Sequence, residues 1–264
     1  MHMDWDAIYE HAGEATTKYL RNRTAAIYLE VSSKETYCGS AVCVDVNHRV
    51  FLLTAAHNFE GIKDSSRIIV FSANRSSDNP LNIIRYNYNL SGADGSNDVA
   101  WLEVDPKSAE NSDLIGTDLN TIQLSPIPVD ELCLFMGFPT GFARQQRDNS
   151  GHLNIIAPMM MYGTHLVRDD KSIVMGYAKT GFSPEQGIKE MPSPSGMSGG
   201  GIWLIPKKLE REDEIWDPSR LRLIGLTREY FRDRNEVEGN HVTDCLVLLS
   251  QDISELKESL GGFL

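Results

Sequence analysis

Gly196-Met197-Ser198-Gly199-Gly200 sets one hydroxyl in a frame of glycines. A nucleophilic serine needs a tight, exposed turn and backbone N–H groups aimed at the oxyanion that develops when a carbonyl is attacked. Glycines on both sides permit that turn and let a substrate carbonyl come close. A second cluster, Thr54-Ala55-Ala56-His57, follows the apolar run Val50 to Leu53. Its small residues leave the imidazole room to reach a partner. A third, Asn97-Asp98-Val99-Ala100-Trp101, places an acid at the head of an apolar strand, where it can be partly buried and aimed. Such an acid holds one imidazole tautomer and stabilises the imidazolium. Each pattern alone is common; hydroxyl, imidazole and carboxylate together are the parts of an acyl-transfer site.

Taken together, the three motifs resemble the trypsin-like (chymotrypsin-fold) serine peptidases. The order His, Asp, Ser matches, and the intervals of about 40 and about 100 residues lie near the roughly 45 and 93 of that family's triad. Met136-Gly137-Phe138-Pro139 resembles the end of the first strand of the second barrel in bacterial members. The likeness covers residues 24 to 250. It implies an all-β fold of two antiparallel six-stranded β-barrels with the active site between them. It also implies a catalytic triad of His57, Asp98 and Ser198, with an oxyanion hole from the N–H groups of Gly196 and Ser198. By the same resemblance Pro192 lies at the base of the specificity pocket, and Arg228, Glu229 and Tyr230 are candidates for its wall. The implied activity is that of a serine endopeptidase on protein or peptide substrates.

Three positions depart from the secreted digestive members. Met197 stands where those carry an acid that pairs with a freed N-terminus. Asn58 follows His57, so the disulfide that brackets the histidine is absent. Pro192 offers no charge for a lysine or arginine side chain. The intracellular, disulfide-poor bacterial peptidases are the nearer resemblance. Because Met197 cannot make the activating ion pair, control is expected from a regulatory protein partner. That partner would order the loop Gly187 to Met197, where prolines alternate with serines and apolar anchors are few.

The elements that must position these groups are short. Residues 4 to 20 repeat apolar side chains at helical spacing: Trp5, Ile8, Tyr9, Ala12 and Ala15. From Thr24 strands are expected at 26–31, 40–44, 50–53, 67–72, 81–86 and 99–104. The polar stretch 106–128 reads as a connection. Strands then resume at 132–137, 153–157, 159–162, 172–177, 201–205, 221–227 and 242–249, before a closing helix at 253–260. Many short strands between turns, with helices only at the ends, indicate barrels or sandwiches. The division that follows is an N-terminal helical extension at 1–23, a first barrel at 24–125 and a second barrel with a C-terminal helix at 126–264.

Bulk properties narrow the partners. The 264 residues include 37 acidic and 25 basic side chains, a formal net charge of −12. Such a surface repels phosphate backbones and anionic headgroups, so neither nucleic acid nor membrane is expected. The first twenty residues carry Asp4, Asp6, Glu10 and Glu14 and lack a secretory signal pattern, so a cytoplasmic location is expected. Cys38, Cys43, Cys133 and Cys245 show no metal-ligand spacing, and no metal or cofactor is expected. Two rival readings remain open. An α/β-hydrolase order of Ser198, Asp217 and His241 can be written, but alternating βα units are missing. A catalytically silent protein of the same fold, acting as a binding or regulatory module, is the alternative from another class.

Overall fold

Both faces of most strands in this chain are apolar, and that fixes how they assemble. On β1 (Thr24–Val31) and β2 (Lys34–Val46), Ala25, Ile27, Ala41 and Cys43 point one way and Ala26, Tyr28, Val42 and Val44 the other. Successive strand side chains alternate between faces, so each strand serves two cores. The structure is a computed structural model. It describes residues 5–31, 34–60, 62, 67–73, 80–90, 98–124, 127–142, 144–147, 153–156, 159–177, 193–206 and 217–260.

β1 and β2 join β3 (Arg49–Thr54), β4 (Arg67–Ser72), β5 (Ile83–Asn89) and β6 (Val99–Val104) in the order β4-β1-β2-β3-β6-β5. A bridge from Val70 to Leu81 links the two edges at one end, leaving a half-closed barrel. The expected connection 106–128 holds one helical turn, Pro106–Glu110, and β7 (Thr117–Asp118), which pairs in parallel with β2. β8 (Leu132–Gly137) leads through a separate hairpin, β9 (Arg144–Arg147) and β10 (Leu153–Ile156), to β11 (Met160–Asp169). With β12 (Ile173–Gly176), β13 (Gly201–Leu204), β14 (Arg222–Phe231) and β15 (Glu236–His241), β8 and β11 close an antiparallel six-stranded barrel.

Three cores result. One fills the first barrel around Ile27, Leu52 and Leu102. Another fills the second around Phe135, Met175 and Ile202. The third lies between them and draws Tyr28, Phe51 and Trp101 from the first barrel and Leu134, Met136 and Trp203 from the second. The N-terminal helix Trp5–Arg21 adds Leu20 to this shared core, and Tyr19 meets Trp203 edge-on at 6.5 Å. No helix among the described residues is long and apolar enough to cross a membrane.

β7, β9 and β15 lie outside the expected strands, and one expected strand has another structure. The run 242–249 is not a strand but the start of a helix, Val242–Asp252, followed by a second, Ser254–Leu260. Its buried residues Val242, Cys245, Leu246 and Leu249 recur at spacings of three and four, the period of a helix face packed on a core. Asp244 in the first turn suits the positive end of the helix dipole. A continuous apolar run conceals that period, because Val247 and Leu248 interrupt it. Leu249 is fully buried in the core that both barrels share. Leu249→Ala is therefore expected to cost about 2–5 kcal/mol, read as a lower urea midpoint at unchanged slope.

Candidate active site

His57 lies in a 3-10 turn, Ala56–Phe59, directly after β3. Ala55 and Ala56 are fully buried, and Phe59 plugs the turn into the first barrel. The turn aims the imidazole at Asp98, which sits just before β6. The His57 Nδ1 lies 2.6 Å from Asp98 Oδ2, and the His57 backbone N–H donates to Asp98 Oδ1 at 2.8 Å. Both carboxylate oxygens thus engage one residue and fix its ring. A carboxylate facing Nδ1 requires the proton there, which leaves Nε2 as the basic nitrogen. On the far side, Asn240 Nδ2 donates to the Asp98 carbonyl at 2.6 Å.

The Asp98 side chain is 6% exposed. Burial pushes its carboxyl up, but the hydrogen bond and charge of His57, the His57 N–H and the charge of Arg228 outweigh it. The group ends below the usual carboxylate range.

Ser198 occupies the turn before β13. Gly196 (φ 91°) and Gly199 (φ 85°) hold left-handed conformations. A Cβ on Gly199 would also lie 2.1 Å from Thr54 Oγ1, so this glycine is needed for space as well as for backbone angle. The loop is tied at several carbonyls. Thr140 donates its N–H (2.8 Å) and its hydroxyl (3.1 Å) to Ser195 O. Met197 O accepts from Gly200 N and from the Thr227 hydroxyl. In a trans peptide the N–H opposes the C=O. The Gly196 N–H therefore points away from Thr140, and the Ser198 N–H away from Thr227. Both residues line the cleft, the arrangement an oxyanion hole needs. Met197 is 1% exposed and packs in the second barrel's core. It supplies an apolar anchor to a loop that was expected to have few; the part of that loop at 187–192 lies outside the described residues.

The cleft between the barrels measures about 570 Å³ and brings together His57, Asp98, Gly196 and Ser198 with Arg228, Glu229 and Tyr230. One expected contact is absent. The Ser198 hydroxyl donates to the Arg228 carbonyl at 3.0 Å and not to His57. Arg228 lines the cleft and pairs with Glu238 at 2.7 Å. Glu229 is exposed at the rim. Tyr230 is half-buried and meets Tyr177 edge-on at 5.0 Å. Pro192 lies outside the described residues.

Ser195, the other serine beside this loop's glycines, is exposed, and its hydroxyl pairs with that of Ser193 at 2.9 Å. His241 meets Asp169 at 3.5 Å, and Asp217 caps a turn at Ser219, so the α/β-hydrolase triad does not assemble. Sequence reasoning missed Phe135 and Val237 in the cleft lining, Glu60 beside His57, and Asn240 behind Asp98. Asn240 had no sequence signal, since only the pairing of β14 with β15 brings it there. Among the described residues no group of three or more His, Cys, Asp or Glu is arranged to hold a metal.

No family model matches the chain, and no curated protein matches it. Solved structures do. Human heparin binding protein aligns over 89% of this chain and 92% of its own, with 13% identity and a TM-score of 0.54. An atomic-resolution structure of the same protein covers the same shares at 15% identity and a TM-score of 0.54. A double mutant of it gives 13% identity and a TM-score of 0.56. At such identity the likeness concerns the fold alone. The fold is chymotrypsin-like: two six-stranded barrel-like sheets, one closed and one half-closed, with short helices.

A depressed carboxyl pKa stabilises the folded state above the unfolded value, near 4, and that contribution fades as pH falls through the lower folded value. The stability gap between wild type and Asp98→Asn is accordingly expected to be full at pH 7 and to shrink below about pH 4. Urea unfolding at several pH values between neutral and strongly acidic measures it.

Proposed function

We propose that this chain is a serine endopeptidase working through His57, Asp98 and Ser198. The observation that carries the reading is the double hydrogen bond from His57 to a buried Asp98 in the cleft that Ser198 also lines. In this reading Ser198 Oγ attacks the scissile carbonyl while His57 Nε2 takes its proton. The Gly196 and Ser198 N–H groups stabilise the oxyanion. His57 then gives the proton to the leaving amine, and an acyl-enzyme remains. A water, deprotonated by the same imidazole, releases the acid and restores Ser198. Asp98 stays ionised and orients the ring throughout. The proposed substrates are proteins or peptides.

Although Glu60 and the exposed Glu229 also line the cleft, the pocket for the side chain at the cut is assigned to its apolar part. Phe135, Val237 and Tyr230 are apolar or aromatic, and Arg228 is neutralised by Glu238. Restraint is assigned to a protein partner rather than to N-terminal trimming, because the buried Met197 has no charge to pair with a new α-ammonium.

A second reading, a silent binding module, draws on the Ser198 hydroxyl being turned to Arg228. Heparin is a polyanion, and a net charge of −12 gives no support for carrying that ligand over from the structural neighbour.

A fluorophosphonate probe separates the two readings. Wild type and Ser195→Ala are expected to label and to hydrolyse peptides, and Ser198→Ala to do neither. Equal turnover by wild type and Ser198→Ala ends the triad proposal; a folded wild type that neither labels nor cleaves supports the binding module. In a peptide-library profile, apolar or aromatic residues are expected before the cut, and a dominant Lys/Arg preference would contradict the assigned pocket.

A further inference from the structure

The Ser198 carbonyl receives two donors from the opposite barrel. The Ser40 N–H on β2 reaches it at 2.8 Å, and Asn58 Nδ2, in the His57 turn, reaches it at 3.0 Å. The direction of the second bond is fixed by its neighbours. Thr54 Oγ1 gives its only proton to Ser40 O at 2.6 Å, so toward Asn58 Nδ2, at 2.9 Å, it must accept. A flipped amide would set Asn58 Oδ1 against two acceptors. The Ser40 hydroxyl does two further jobs: it accepts from the Phe138 N–H at 2.9 Å and donates to Gly196 O at 3.3 Å. Ser40 is fully buried and Asn58 is 4% exposed, so water does not compete for these bonds. The amide fits because residue 39 is glycine; a Cβ there would lie 2.2 Å from Asn58 Nδ2.

We propose that Ser40 and Asn58 are positioning residues that clamp the carbonyls of Gly196 and Ser198 from across the barrel interface, and so aim the two N–H groups of the oxyanion hole. The clamp rests on the peptidase reading for its catalytic effect. It accounts for two absences at once. No disulfide brackets the histidine turn, and Met197 cannot form the ion pair that orders this loop in secreted relatives. Burial of Met197 holds the loop from the second barrel, and the Ser40–Asn58 pair holds it from the first. The pinned carbonyls lie in the 196–197 and 198–199 peptide planes, whose own N–H groups are also bonded, Met197 to Pro194 O at 2.9 Å and Gly199 to Thr227 O at 2.6 Å. Each plane meets the plane of an oxyanion-hole N–H at a single Cα, so holding it restricts the two backbone angles that aim the Gly196 and Ser198 N–H groups.

The test uses Asn58→Asp, Ser40→Ala and Gly39→Ala in the full chain. Asn58→Asp keeps the size of the side chain but replaces the donor with an oxygen that faces the Ser198 carbonyl. Gly39→Ala leaves the amide in place chemically and displaces it. With folding confirmed by near-UV circular dichroism, each variant is expected to lose about 10- to 100-fold in kcat, with KM moving less than about twofold. A merely structural role would lower the urea midpoint and leave kcat per folded molecule unchanged, and that result overturns the proposal. Amide NMR shifts of Gly196 and Ser198 give a readout independent of turnover. They are expected to move in Asn58→Asp, while those of the distant strand β12 stay put. If wild type neither labels nor cleaves, the peptidase reading fails by itself. Unmoved Gly196 and Ser198 shifts in Asn58→Asp would sink the clamp whatever the wild type does.

Discussion

The apolar contact between the two barrels is the constraint on which the rest of this structure depends. His57 and Asp98 belong to the first barrel, and Ser198 and its glycines to the second. No local sequence preference can bring them together. They meet because Tyr28, Phe51 and Trp101 on one side and Leu134, Met136 and Trp203 on the other are excluded from water in the same core. Burying that apolar surface, worth roughly 25 cal/mol per Å², is what draws the two barrels together. The helix Val242–Asp252 adds Leu246 and Leu249 to the same core and so braces both barrels from behind.

Within that frame most polar groups at the seam are buried with a partner, although Asn58 Oδ1 has none among the described residues. Asp98 is tolerated because its oxygens take two hydrogen bonds from His57 and its carbonyl one from Asn240. Arg228 is tolerated because Glu238 lies against it. The Ser198 carbonyl takes Ser40 and Asn58. These bonds are short-range and directional, so they convert a greasy interface into a fixed geometry. The Ser198 hydroxyl is the exception in function, since it donates to Arg228 O rather than to His57.

Strand positions were largely legible because turn residues and alternating apolar side chains carry them. The helix Val242–Asp252 was not. Val242 to Leu249 is a run of mostly apolar residues, and such a run fits a buried strand or a buried helix equally well. What decides is whether a neighbouring strand offers a free edge. β14 already pairs with β13 and β15, and the second barrel is closed, so the segment satisfies its own backbone as a helix.

The sequence by itself determined which groups carry the chemistry: a serine framed by glycines, a histidine after an apolar strand, and an acid before another. Those signals are local, because tight turns and strand ends impose residue types on adjacent positions. It also determined that an activating ion pair at Met197 and a disulfide at Asn58 are absent. Only the tertiary structure decided what stands in their place. Asn58 reaches the Ser198 carbonyl 140 residues away, and Asn240 reaches the Asp98 carbonyl across 142. Arg228, which lines the cleft, is paired with Glu238. Contacts of that kind depend on strand register and on how two closed surfaces meet, and neither is written in the spacing of residues along one chain.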